Sequence, residues 1–219
     1  MTVRLHRHGR TRAWLGRRFG GDAALGDRAL RHLLHVAGAV VLFYYLLPAG
    51  FFGVVSNEVA LLLALSAVLA IEALRHIARV ELPTIRPYER KRVASFAFFA
   101  VALVISVLVF PKPIAVAVVL GTALVDPLAG ILRLRNGAHL TPWIAPILAY
   151  AGIAAAVFRW VGGWSWGSTI AAGVGAAVIA VVVERPESKW YDDDLGMTLV
   201  PGAVLTVALW LWPGFPSGP

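Results

Sequence analysis

Residues 120–135 read LGTALVDPLAGILRLR and set one carboxylate, Asp126, inside an otherwise apolar run. A carboxylate near the hydrocarbon core of a membrane costs roughly 2.5–3.5 kcal/mol even on lenient insertion scales, so such a residue usually holds a cation, a proton or a substrate. The plainer alternative is an Asp that reaches the headgroup layer or pairs with an arginine from another helix. Glu184 raises the same question, because it ends a second apolar run, AAGVGAAVIAVVVE.

Other groups able to handle phosphate or metal recur along the chain. Arg31 and His35 are four residues apart, on one face if helical. Glu89 adjoins Arg90, Lys91 and Arg92, and Asp192, Asp193 and Asp194 are consecutive. Arginine and lysine can offset phosphate charge and bond its oxygens, while one or two carboxylates hold a hard metal such as magnesium. Phosphoryl transfer asks for little beyond such positioning and electrostatic stabilisation. Each group also has a structural reading. Arg31 and His35 could anchor at headgroups, the basic run could be a topology signal, and the triple Asp could be a solvated loop. Glu72 and Arg75, three apart, read as a plain intrahelical pair. No glycine-lysine phosphate loop, protein-kinase signature or HExxH pair is present, so a soluble kinase fold or a zinc protease is excluded.

The elements that must position these residues are membrane helices. The chain has 219 residues, 59% hydrophobic and 15% charged, and a mean hydropathy of +0.75. That balance describes a polytopic, all-α integral membrane protein rather than a soluble domain. The absence of cysteine removes disulfides, thiolate nucleophiles and Cys-ligated metals. Residues 1–31 form a basic N-terminal segment with eight arginines, too short of apolar residues to be a cleaved signal. Residues 32–213 form the transmembrane catalytic domain and 214–219 a short Pro- and Gly-rich tail. About seven spans are expected, near 33–55, 59–75, 93–110, 114–132, 142–158, 169–183 and 195–212, each close to the roughly 20 residues that cross a bilayer. Pro48 and Pro201 fall inside spans and predict kinks.

With the N-terminus cytoplasmic, all of the 20 Lys and Arg except Lys112 and Arg159 fall on the inner side, as the positive-inside rule requires. The positive charge is therefore a matter of topology and anionic lipid, not of nucleic acid. The same topology gathers Arg31, His35, Glu72, the 86–92 loop, Asp126, Glu184 and Asp192–Asp194 at the cytoplasmic ends of the spans. Only Glu58 among the 12 acids lies clearly outside. The positive-inside rule concerns Lys and Arg, so it does not explain carboxylates on that face.

These residues resemble the family of CTP-dependent polyprenol kinases, which includes dolichol kinase and phytol kinase. The family's opening Arg-x-x-x-His is matched by Arg31 to His35, and its loop before the third span by Glu89-Arg90-Lys91-Arg92. Its central Gly-Asp-x-x-Ala is similar to Val125-Asp126-Pro127-Leu128-Ala129, and its late Glu and acidic Asn-Leu-Thr-x-Pro segment to Glu184 and DDDLGMTLVP. Val125 stands where the family has glycine, as does Arg133.

The resemblance implies a membrane kinase that transfers the terminal phosphate of CTP to a long-chain isoprenoid alcohol resembling dolichol, phytol or geranylgeraniol, at the cytoplasmic face. It places Asp126 and Glu184 as magnesium ligands, with Arg31, Glu89, Arg90, Lys91, Arg92, Asp193 and Asp194 around the nucleotide. Asp126, His35 or Glu184 is expected to take or orient the alcohol proton. Two rivals stand beside this reading: a CTP-using cytidylyltransferase making a CDP-lipid, and a non-enzymatic lipid-binding or transport protein.

Overall fold

The computed structural model describes residues 23–48, 50, 53, 55–79, 85, 89, 92–136, 141–184 and 192–212, the side chains of 23–28, 133–136, 141 and 142 excepted. Arg90 and Lys91, the segment 1–22 and the tail from 213 lie outside the described residues.

Among the described residues the chain is all-helical. We number its α-helices α1 (Ala23–Gly38), α2 (Asn57–Ala78), α3 (Ser95–Val109), α4 (Lys112–Asn136), α5 (Thr141–Trp160), α6 (Trp166–Glu184) and α7 (Asp193–Leu211), with a 3-10 helix, Ala39–Tyr45, after α1. Five of them, α2 and α4 to α7, contain stretches long and apolar enough to cross a membrane. The run Ala29–Tyr45 and α3 are apolar but shorter.

The first expected span departs most from the sequence reading. Its helix begins ten residues earlier, and regular α geometry stops at Gly38. Five of the next seven residues, AVVLFYY, are β-branched or aromatic and lose rotamer freedom in an α-helix, and the seven wind into 3-10 helix with none buried. The close approach of Phe99 leaves no room for a Cβ at Gly38, so glycine lets the turn press against α3.

Local signals fix the other ends. Ser56 caps α2 by accepting from the Val59 N–H at 3.3 Å, and Arg79 closes it in the left-handed region at φ 51°. Helix α7 starts on Asp192, whose Oδ1 accepts from the Asp194 N–H at 3.2 Å. Asp193 and Asp194 fill its first turn, where negative charge suits the helix dipole. Prolines 127, 146 and 201 lie within α4, α5 and α7.

The core is built by α4, α5, α6 and α7. Ile114, Val118, Val125, Tyr150, Ala154, Phe158, Ala172, Ala176 and Ala177 share its main apolar cluster. Small residues along α6 let helices approach closely, the usual packing mode in a membrane. Against this unit α3 packs on α7, and α1 packs on α4. Helix α2 touches the bundle chiefly through α3, and its Leu62, Leu63, Leu69, Ile71, Leu74 and Ile77 are exposed.

Candidate functional site

Three helices meet at one end of the bundle and bring together side chains far apart in the chain. His35 from α1 places Nε2 3.0 Å from Asp194 Oδ2 on α7 and 3.7 Å from Asp126 Oδ2 on α4. The ligand atoms of these three residues all lie within 4.8 Å of one another. His35 and Asp194 are buried, and Asp126 keeps 22% of its side chain exposed. The open side of the cluster is therefore at Asp126.

The histidine is held on every side. Its Nδ1 donates to the Arg31 carbonyl oxygen one turn back, at 3.0 Å, a carbonyl being only an acceptor. Its ring stacks on Phe99 of α3, centroids 4.7 Å apart and 21° from parallel. A residue whose backbone, ring face and far nitrogen are all engaged has one orientation, which aims Nε2 between the carboxylates.

Ser95, the first residue of α3, supplies the next contact. Its hydroxyl reaches Asp194 Oδ2 at 2.9 Å and Asp192 Oδ1 at 2.7 Å. Asp192 thus caps α7 and joins the polar cluster. Burial and the neighbouring Asp194 charge together raise its pKa above the ordinary carboxylate value. Asp192, Asp193 and Asp194 form a second group of close oxygens sharing Asp194. The segment is not a plain solvated loop, because Asp194 is 3% exposed.

A second polar node ties α2 to the chain before α3. Arg75 Nε and Nη2 donate to the two Glu72 carboxylate oxygens at 2.8 and 2.6 Å. Arg75 Nη2 also reaches the carbonyls of Arg92 at 2.7 Å and Glu89 at 3.4 Å, while Glu72 Oε1 accepts from the Ala94 N–H at 2.8 Å. The intrahelical pair expected from the spacing is present, and in addition it bonds the backbone of Glu89, Arg92 and Ala94.

The sequence-derived candidates therefore divide. His35, Asp126 and Asp194 converge, with Asp193 beside them and Arg31 contributing its carbonyl. Glu89 is buried at the Arg75 clamp, and Arg92 is exposed next to it. Glu184 is buried at the end of α6 and belongs to neither group of close ligand atoms. Ser95 was not a candidate; it lies at the start of the third expected span.

The donor set fits a hard divalent cation. Asp126 and Asp194 offer carboxylate oxygens from two different helices, the ligand type magnesium prefers while keeping positions for phosphate and water. His35 offers nitrogen, which magnesium takes poorly, and its engagement with Asp194 suits a group that orients a ligand from behind. No family model, curated protein or solved structure matches this chain.

Proposed function

We propose that this chain is a membrane-embedded kinase that transfers the terminal phosphate of CTP to a long-chain isoprenoid alcohol. The observation that carries the reading is the convergence of His35, Asp126 and Asp194. They come from three of the four patches that resemble the polyprenol kinases, and 159 residues of chain separate the outer two. All seven apolar segments span the membrane in this reading, with the N-terminus and the site on the cytoplasmic side, where the arginines lie.

Asp126 and Asp194 would hold magnesium, which when bound supplies charge neutralisation at the phosphate oxygens. Asp194 is the preorganised carboxylate, fixed by Ser95 and His35. Asp126, on the accessible side, receives the alcohol. The alcohol oxygen attacks the γ-phosphorus, its proton passes to the Asp126 carboxylate, and the bond from phosphorus to the β,γ-bridging oxygen breaks to release CDP. His35 keeps Asp194 in place. Arg31, with Arg90, Lys91 and Arg92, offsets phosphate charge around the nucleotide.

The test is incubation of detergent-purified protein with magnesium, CTP labelled in the γ-phosphate and a panel of prenols. Labelled lipid monophosphate that disappears in Asp126→Asn is the expected result. Release of pyrophosphate with no labelled monophosphate would instead establish a cytidylyltransferase, and inertness in both channels would overturn the enzyme reading.

A further inference from the structure

One turn deeper than the carboxylates lies a second contact between the same two helices. Thr122 precedes Asp126 by four residues on α4, and Thr198 follows Asp194 by four on α7. Their hydroxyl oxygens are 3.0 Å apart, and Thr198 Oγ1 also donates to the carbonyl oxygen of Asp194 at 2.8 Å. Thr198 is the donor in both contacts, so its single hydroxyl proton is shared between Thr122 Oγ1 and the Asp194 carbonyl oxygen. Both residues are fully buried.

We infer that the Thr122–Thr198 hydrogen bond is the spacer that fixes how far Asp126 stands from Asp194, and through that distance the size of cation the two accept. The inference rests on the cation-holding role proposed for these carboxylates. A pair one helical turn away, about 5.4 Å along each axis, is near enough to set the separation at the site. Both side chains are shielded from bulk solvent, and a hydrogen bond so placed is electrostatically stronger than in water. Threonine χ1 is restricted by its β-branch, and the bond to the Asp194 carbonyl locks it further. One residue before Thr122, Gly121 takes the Tyr150 ring against its backbone in a contact too close for a Cβ. Helix α4 is thus braced against α5, and loss of the threonine bond shifts α7 rather than being absorbed by α4.

Magnesium binds oxygen at about 2.0–2.1 Å and calcium at about 2.3–2.6 Å, so a few tenths of an ångström between carboxylates decide between them. Thr122 and Thr198 are positioning residues in this scheme, not ligands.

The experiment uses the full chain in detergent without nucleotide. Manganese binding is followed by electron paramagnetic resonance, with magnesium and calcium as competitors. Thr122→Val and Thr198→Val keep the branched shape and remove the hydroxyl. Each is expected to weaken manganese binding about tenfold and to move the competition from magnesium toward calcium, the double variant adding little. Thr198→Ser restores both properties. Wild-type binding together with unchanged affinity and unchanged competition in both valine variants overturns the inference, as do fully additive losses in the double variant. Absence of manganese binding in the wild type overturns the cation-holding role itself. Each valine variant reads the same bond from a different helix, so one that retains the wild-type helical circular dichroism suffices.

Discussion

His35 Nε2 stands 3.0 Å from Asp194 Oδ2, and the same nitrogen is 3.7 Å from Asp126 Oδ2. One imidazole thus meets two carboxylates that arrive on different helices. Partners that orient a metal-holding carboxylate are typically worth 10–100-fold in activity. His35→Leu is therefore expected to lower turnover by about 10–100-fold while leaving the helical content intact. A His35→Leu enzyme with wild-type kcat and wild-type magnesium dependence would remove His35 from the site.

Asp192 carries a pH signature. Its pKa in the folded chain lies above the ordinary carboxylate value because burial and Asp194 disfavour its charge. The folded state therefore binds this proton more readily than the unfolded state, and the associated stability is lost as pH rises from the ordinary value through the raised one. Asp192→Asn keeps an oxygen to cap α7 and removes the titration. In chelator-treated protein, the melting temperature of Asp192→Asn relative to wild type should climb as pH rises above the ordinary carboxylate value. Parallel pH profiles would contradict the assignment.

The Glu72–Arg75 pair is expected to be structural. Both side chains are at most 6% exposed, and the guanidinium also bonds two backbone carbonyls. Arg75→Met takes the guanidinium from Glu72, which keeps the Ala94 N–H, and removes the Arg75 donor from those carbonyls, at a cost of about 2–4 kcal/mol. Arg75→Lys should recover little, since one ammonium cannot match the fork. Thermal unfolding in detergent measures this; a melting temperature within a degree of wild type for Arg75→Met would sink it.

Gly121 is a packing prediction. The Tyr150 ring occupies the space a Cβ would need, and both residues are buried. Gly121→Ala is expected to destabilise by about 1–3 kcal/mol through overpacking. Tyr150→Leu, introduced into that variant, should recover part of the loss. Independent, additive effects of the two substitutions would show that the ring and the glycine are not coupled.

Much of this architecture was legible in the sequence because bilayer length and apolar runs constrain helices strongly. The positions of α2 to α7 follow the hydropathy within a few residues. The first span did not, because hydropathy cannot tell α from 3-10 winding once residues such as Val40, Val41, Tyr44 and Tyr45 follow a glycine. At the site, Asp126 and His35 drew attention as polar residues among apolar ones. Ser95, Thr122 and Thr198 did not, since a hydroxyl residue in a membrane helix commonly satisfies itself on its own backbone. Their importance lies in which helix they face, and that is a property of packing. Glu72 and Arg75 were visible as a pair, yet their hold on the backbone of Glu89, Arg92 and Ala94 depends on how the chain returns after α2.

The pairing of His35 with a carboxylate 159 residues downstream has a consequence for biosynthesis. A ribosome releases α1 long before α7 exists, so His35 leaves it without its Asp194 partner. The three-residue cluster closes only when α7 has been made, and a chain truncated before Asp192 leaves His35 with Asp126 and the Arg31 carbonyl alone. The site is therefore completed only by the last of the described helices, and a chain that lacks α7 lacks the pairing of His35 with Asp194.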